Sequence, residues 1–209
     1  MNKIHDRISR NLTKLLRHEA PKRNLNYDKF GGIHLEKILS LGEFKKLNAT
    51  EDIITSIVDS CQKKRFIIYY DSIRKKTICA SQGHSFIVVP FSSIEIKLDN
   101  IDNFINKDTV VHGTYYKYLD KIKLEGLSRM KRQNIHLGTN IPESGEVISG
   151  MRKSCEVIIY IDIYKALEDG YSFLLSKNKV VLTPGNKDGY LPNKYFKKMV
   201  DRKSGIEIR

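Results

Sequence analysis

The chain has 209 residues, 40% of them hydrophobic, and a formal net charge of +13 from 37 Lys and Arg against 24 Asp and Glu. This length holds one large domain or two small ones with real cores, and a basic excess spread over both halves favours a polyanionic partner bound more weakly as salt rises. Cys61, Cys79 and Cys155, three cysteines without C-x-x-C spacing, argue against a zinc cluster and a disulfide framework and favour a reducing intracellular compartment, cytoplasmic or nuclear.

In chain order, Ile4, Ile8, Leu12, Leu15 and Leu16 recur at helical spacing, so a helix is predicted over residues 5–18, ending near Arg17-His18 with Pro21 just beyond. No signal peptide and no membrane span are expected at this amphipathic start or elsewhere. A short helix follows over 34–40, stopped by Gly42. Thr50 is a candidate N-cap, with Glu51 and Asp52 in the first turn and Ile53, Ile54, Ile57, Val58 and Cys61 as the buried face. Strands at 65–71 and 76–80 flank a charged turn. Helices followed by a β-hairpin are the order of a winged helix. The Asn- and Asp-rich stretch from Ile94 to Asn106 marks a boundary, placed between residues 98 and 99. Beyond it, strands are predicted at 109–111, 134–137, 156–161, 173–175 and 179–183, with helices at 115–125, ended by Gly126, and from about 162 to Gly170. The fold class is therefore α+β, with neither a G-x-G-x-x-G sequence after a strand nor a Walker A sequence.

The residues able to carry chemistry are arginines, histidines and small polar or glycine positions. Arginine offers a planar, permanently charged fork for a phosphate. Arg17 and His18 close the first helix, where cations also serve as dipole complements. Arg65 follows Lys63-Lys64, and Arg132 sits in a basic loop before a strand; on spacing alone, solvated surface is the more ordinary reading of both. Gln82-Gly83-His84-Ser85 is a polar turn whose glycine lets the backbone approach a ligand. His112-Gly113-Thr114, read as lying between a strand and a helix, offers backbone N–H groups to an anion. It also matches half of a two-histidine phosphoesterase. The second half fails, because His136-Leu137-Gly138 lacks the hydroxyl residue.

Taken in order, Leu15-Leu16-Arg17-His18, Lys63-Lys64-Arg65-Phe66, the run Ile78 to Ser85, His112-Gly113-Thr114, Arg132 with Ile135-His136-Leu137, the run Ile148 to Arg152, and Ser176-Lys177-Asn178 before Val180-Val181-Leu182 make the chain resemble the RNA 2′-phosphotransferase family. The resemblance runs from Ser9 to about Gly185. Asn134 and Cys79 depart from it. It implies a winged-helix RNA-binding lobe over residues 1–98 and an ADP-ribosyltransferase-like, NAD-binding lobe over 99–209. It implies a metal-free reaction of two steps, in which an RNA 2′-phosphate attacks the ribose C1″ of NAD⁺, expelling nicotinamide, and the 2″-hydroxyl then attacks phosphorus. The products are 2′-OH RNA and ADP-ribose 1″,2″-cyclic phosphate. The family's catalytic set maps to Arg17, His18, Arg65 and Arg132. Of the NAD⁺ contacts, His112, Gly113 and Thr114 are assigned with Ser176 and Asn178, and Arg152 to the pyrophosphate. Gln82, His84 and Ser85 are assigned to RNA.

Two other readings compete: an ADP-ribosyltransferase that stops after the first step on a phosphorylated nucleic acid or other acceptor, and a non-catalytic winged-helix nucleic-acid binder. The partners expected are RNA with an internal 2′-phosphate, tRNA foremost, and NAD⁺. A monomer that does not engage membranes is expected.

Overall fold

The computed structural model describes residues 3–141, 151–152 and 154–208. Among the described residues, no helix is long and apolar enough to cross a membrane. The chain divides into two compact units, Met1–Phe91 and Ser92–Arg209.

In the first unit, α1 (Lys3–Lys14) presents Ile8 and Leu12 to the core, and the next turn, Leu15–Glu19, adds Leu15 and Leu16. The spacing of these residues fills one helical stripe, and each fully buried side chain stabilises the fold by roughly 1.5–3 kcal/mol. Leu15–Glu19 is wound as a π-turn, with the Ala20 N–H donating to the Leu15 carbonyl at 3.1 Å. Pro21 stops the helix just beyond, since it has no N–H to offer the Arg17 carbonyl and its ring would clash with that carbonyl. α2 (Leu35–Leu39), α3 (Gly42–Lys45) and α4 (Glu51–Asp59) complete the helical layer. Thr50 caps α4, accepting from the Ile53 N–H at 3.3 Å, as its position before two acidic residues predicts.

The sheet of this unit is antiparallel with the order β1 (Ile33–His34), β3 (Lys76–Ala80), β2 (Phe66–Tyr70). Two expectations change. His34 belongs to β1, not to the following helix, because it pairs with Thr77. Gly42 does not end the helical region but opens α3, whose Phe44 is fully buried.

The second unit is built on a seven-stranded antiparallel sheet. Its members are β4 (Ile94–Ile96), β5 (Val111–Thr114), β7 (Ile135–Gly138), β8 (Val157–Ile161), β9 (Phe173–Leu175), β10 (Val180–Thr183) and β12 (Phe196–Asp201). Their order is β12-β8-β5-β7-β10-β9-β4. A separate ribbon pairs β6 (Leu127–Ser128) with β11 (Tyr190–Leu191). α5 (Ile101–Phe104), α6 (Leu119–Glu125) and α7 (Ile163–Glu168) complete the described helices. β8 is buried on both faces: Val157, Ile159 and Ile161 join the main core, and Ile158 joins a smaller one with Val111, Met151 and Cys155.

The division falls between Phe91 and Ser92, not between 98 and 99. β4 pairs with β9, and Ile96 is buried in the second unit's core, so the chain commits to that unit before the polar stretch ends. The strand predicted at 109–111 also shifts. Lys107–Thr109 forms a 3-10 turn capped by Asn106, whose side chain accepts from the Asp108 N–H, and the strand is Val111–Thr114. β4, β6, β11, β12 and α5 were not predicted: the strands are two to six residues long or occupy sheet edges, and α5 is a single turn.

Candidate functional site

Pro21 shapes the first cluster. In an uninterrupted α-helix the Arg17 carbonyl would accept from the N–H of residue 21, and proline has none. The carbonyl accepts instead from the Ser85 N–H at 2.9 Å and the Ser85 hydroxyl at 3.3 Å. The same serine Oγ lies 3.2 Å from Nδ1 of His18, and Oε1 of Gln82 accepts from Nη2 of Arg17 at 3.2 Å. Gly83 between them has φ +93°, and a Cβ there would lie 3.4 Å from the Arg17 guanidinium. The segment Gln82–Ser85 thus wraps the π-turn and fixes both Arg17 and His18.

His84 and Gln82 are buried, at 3% and 8% exposure, so they face Arg17 and His18 rather than solvent. Nε2 of His84 is buried without a hydrogen-bond partner among the described residues, and its ring stands edge-on to Phe86. Burial first, then the charge of Arg17 and of His18, lower its pKa to about 4, so the ring is neutral at pH 7.

His18 and Arg65 line one cleft of about 650 Å³ along the α1 face carrying Ser9, Arg10 and Thr13, with Asp6 at its wall. Arg65 is held from behind: the Cys61 Sγ accepts from its backbone N–H at 3.5 Å and from Nη1 at 3.6 Å. Cys61 was not foreseen as part of this cluster; it is four residues before Arg65 across a turn, a spacing that carries no chemical signal by itself. The first unit therefore brings together Arg17, His18, Arg65, Gln82, His84 and Ser85.

The second cluster lies in the other unit. His112, Gly113 and Thr114 are inside β5, paired with Ile159, Ile158 and Val157, so they do not form a helix-start anion cradle. The β5 register sets them on alternate faces. His112 accompanies Ile159, with Nδ1 3.1 Å from the His136 carbonyl. Burial above all lowers the His112 pKa; the His136 carbonyl opposes this and Arg132 adds to it. Gly113 lies on the opposite face, where a Cβ would stand 2.7 Å from Sδ of Met151 and 2.9 Å from Sγ of Cys155. The Thr114 carbonyl accepts from the Glu156 N–H at 2.8 Å.

Arg132 is exposed, yet crowding of its guanidinium, followed by the like charge of Arg152, lowers its pKa. Arg152 also bears on Tyr115, whose hydroxyl is 2.7 Å from Ser154 Oγ; Ser154, then Arg152, lower the Tyr115 pKa. No sequence signal marks Tyr115 for this cluster beyond its place directly after the His-Gly-Thr run. Residues 148–150 of the run Ile148 to Arg152 lie outside the described residues.

Ser176 and Asn178 are placed differently. The Ser176 hydroxyl is 2.9 Å from both Asn178 Oδ1 and the Val180 carbonyl, and it accepts from the Val180 N–H at 3.1 Å. These bonds close the turn between β9 and β10, where Ser176 is buried.

Arginine and histidine grouped in a basic cleft of one unit, and a pair of like-charged arginines in the other, are the chemistry of a protein that handles phosphorylated ligands. The chain belongs to the RNA 2′-phosphotransferase, Tpt1 / KptA family, whose model matches residues 3–185. It is 39% identical over 191 residues to tRNA 2′-phosphotransferase 1 of Danio rerio, covering 91% of this chain and 83% of the relative. It is 37% identical over 191 residues to tRNA 2′-phosphotransferase 1 of Homo sapiens, with 91% and 73% covered. To tRNA 2′-phosphotransferase of Saccharomyces cerevisiae it is 34% identical over 162 residues, with 77% and 70% covered.

Proposed function

We propose that this protein removes the internal 2′-phosphate of RNA, tRNA foremost, by transferring it to NAD⁺, giving 2′-OH RNA, nicotinamide and ADP-ribose 1″,2″-cyclic phosphate. The observation that carries this reading is the wrapping of Arg17 and His18 by Gln82 and Ser85 in the unit whose cleft also presents Arg65. In this reading the first unit is a winged-helix-like RNA lobe and the second an ADP-ribosyltransferase-like lobe.

Arg17, His18 and Arg65 grip and orient the 2′-phosphate. Such groups are preorganised by the bonds behind them and lose little freedom when the ligand arrives. Gln82, His84 and Ser85 serve as positioning residues. The neutral ring of His84 fills space beside Arg17 without adding a third positive charge to repel it.

The donor set of the second unit fits NAD⁺. Arg132 and Arg152 repel each other, and a pyrophosphate or a transferring phosphoryl group between them would relieve that repulsion. NAD⁺ supplies an electrophilic ribose carbon with nicotinamide as its leaving group. Arg152 would hold the pyrophosphate, His112 and Thr114 the remaining NAD⁺ contacts, and Arg132 would stabilise charge in the transfer of phosphate away from RNA. Ser176 and Asn178 would shape the NAD⁺ site through their turn. The positive groups at both clusters are the protein's own, and turnover should survive excess EDTA.

The test is loss of 2′-phosphate from a synthetic RNA with and without NAD⁺. Dephosphorylation only when NAD⁺ is present supports the reading. Dephosphorylation at the same rate without it, with free phosphate released, contradicts it.

A further inference from the structure

A second pocket of the first unit, about 510 Å³, shares no lining residue with the cleft of His18 and Arg65. Its carboxylates are already committed. Asp28 accepts from the N–H groups of Phe30 at 2.8 Å and Gly32 at 2.9 Å, and from the Tyr69 hydroxyl. Asp71 accepts from the N–H groups of Ile73 and Lys75 and is paired with the His34 ring at 2.7 Å. Thr77 is committed too, its buried hydroxyl donating to the Lys75 carbonyl at 3.1 Å. Asn24, Asn26 and Lys37 are exposed, and their side chains make no hydrogen bond or ion pair among the described residues. Tyr27 completes the wall, 39% exposed.

An aromatic ring, two free amides and a free ammonium suit one ligand class well. The ring stacks on a base, the amides meet donors and acceptors on the base edge, and the ammonium meets a phosphate. The pocket is also connected to the reactive cluster. The Tyr27 ring packs on Phe86 with centroids 5.0 Å apart, and Phe86 packs on His84 at 5.4 Å. His84 lies between Gln82 and Ser85, which hold Arg17 and His18. We propose that this pocket binds a nucleotide of the RNA strand flanking the one that carries the 2′-phosphate. The proposal rests on the phosphotransfer reading above and extends it from a single phosphate to a stretch of single-stranded RNA.

Two measurements test it. The first compares kcat/KM for a 2′-phosphorylated trinucleotide and a 2′-phosphorylated mononucleotide. The second is fluorescence anisotropy of a labelled single-stranded RNA pentanucleotide carrying the 2′-phosphate, without NAD⁺. The wild type should prefer the trinucleotide. N26A/K37A and Tyr27→Ala should each reduce that preference and weaken pentanucleotide binding about tenfold, and Tyr27→Phe should restore both. An unchanged preference, or an equal loss on both substrates, would overturn the subsite. If the wild type turns over neither substrate, the phosphotransfer reading fails. Binding then decides the pocket: a tenfold loss in the variants supports it, and unchanged binding overturns it.

Discussion

The Ser85 N–H donates to the Arg17 carbonyl at 2.9 Å, taking the place that Pro21 leaves empty. One proline thus couples two segments more than sixty residues apart, and Ser85 Oγ extends the coupling to His18 at 3.2 Å. Ser85→Ala keeps the backbone bond and loses the hydroxyl. We expect kcat/KM to fall by about fivefold to tenfold, the equivalent of one hydrogen bond, with little change in thermal stability. A wild-type rate for Ser85→Ala would show that the hydroxyl does not set the His18 orientation.

Arg65 lines the same cleft as His18, together with Arg10 and Lys14. A charge-assisted bond to a phosphate contributes about 1.5–3 kcal/mol. Arg65→Ala should therefore lose about tenfold to 150-fold in kcat/KM, and Arg65→Lys should recover part, since the charge returns without the fork. Steady-state kinetics on a 2′-phosphorylated RNA decide it, and full recovery by lysine would argue that charge alone suffices.

His84 makes stability depend on pH. Its folded pKa, about 4, is below its ordinary value of 6.5. The unfolded chain binds the proton more readily, so the associated stability is fully present above pH 6.5 and is lost as pH falls toward 4. The loss is on the order of 3 kcal/mol at 1.36 kcal/mol per pKa unit. Urea unfolding of the wild type and His84→Phe at pH 7 and pH 4.5 measures it. The phenylalanine variant should lose less stability between the two; equal losses would remove His84 as the cause.

Gly113 has no room for a side chain, with Met151 and Cys155 against it. Gly113→Ala should destabilise the protein by about 1–3 kcal/mol through overpacking. Adding Met151→Ala should return part of that. Equal stability of Gly113→Ala and wild type in urea would mean that the Met151 chain gives way without cost.

The helices of the first unit were legible because Ile8, Leu12, Leu15 and Leu16 fill one stripe and because Thr50 precedes Glu51-Asp52. What proline does beyond ending the helix was not legible: Ser85 as its substitute donor is a contact across the fold. The His112-Gly113-Thr114 run reads as a strand-to-helix junction once the strand is placed at 109–111 and the helix at 115–125. Its glycine instead answers to Met151, which no local pattern reveals. Ser176 and Asn178 stand out only through the resemblance, and the turn they close was not legible, because a hydroxyl can serve a ligand or its own backbone equally well. β4 was hidden because its three residues alternate too briefly to register, yet its pairing with β9 moves the boundary between the units.

The central claim is that phosphorus moves from RNA to NAD⁺, and the fate of a labelled phosphate tests it most directly. An RNA carrying a ³²P-labelled internal 2′-phosphate is incubated with the protein and NAD⁺, and the products are resolved over time. The account predicts that the label leaves the RNA and appears in ADP-ribose 1″,2″-cyclic phosphate, with one nicotinamide formed per phosphate moved. Label released as inorganic phosphate, or label retained on RNA in a stable ADP-ribosylated product, would contradict it.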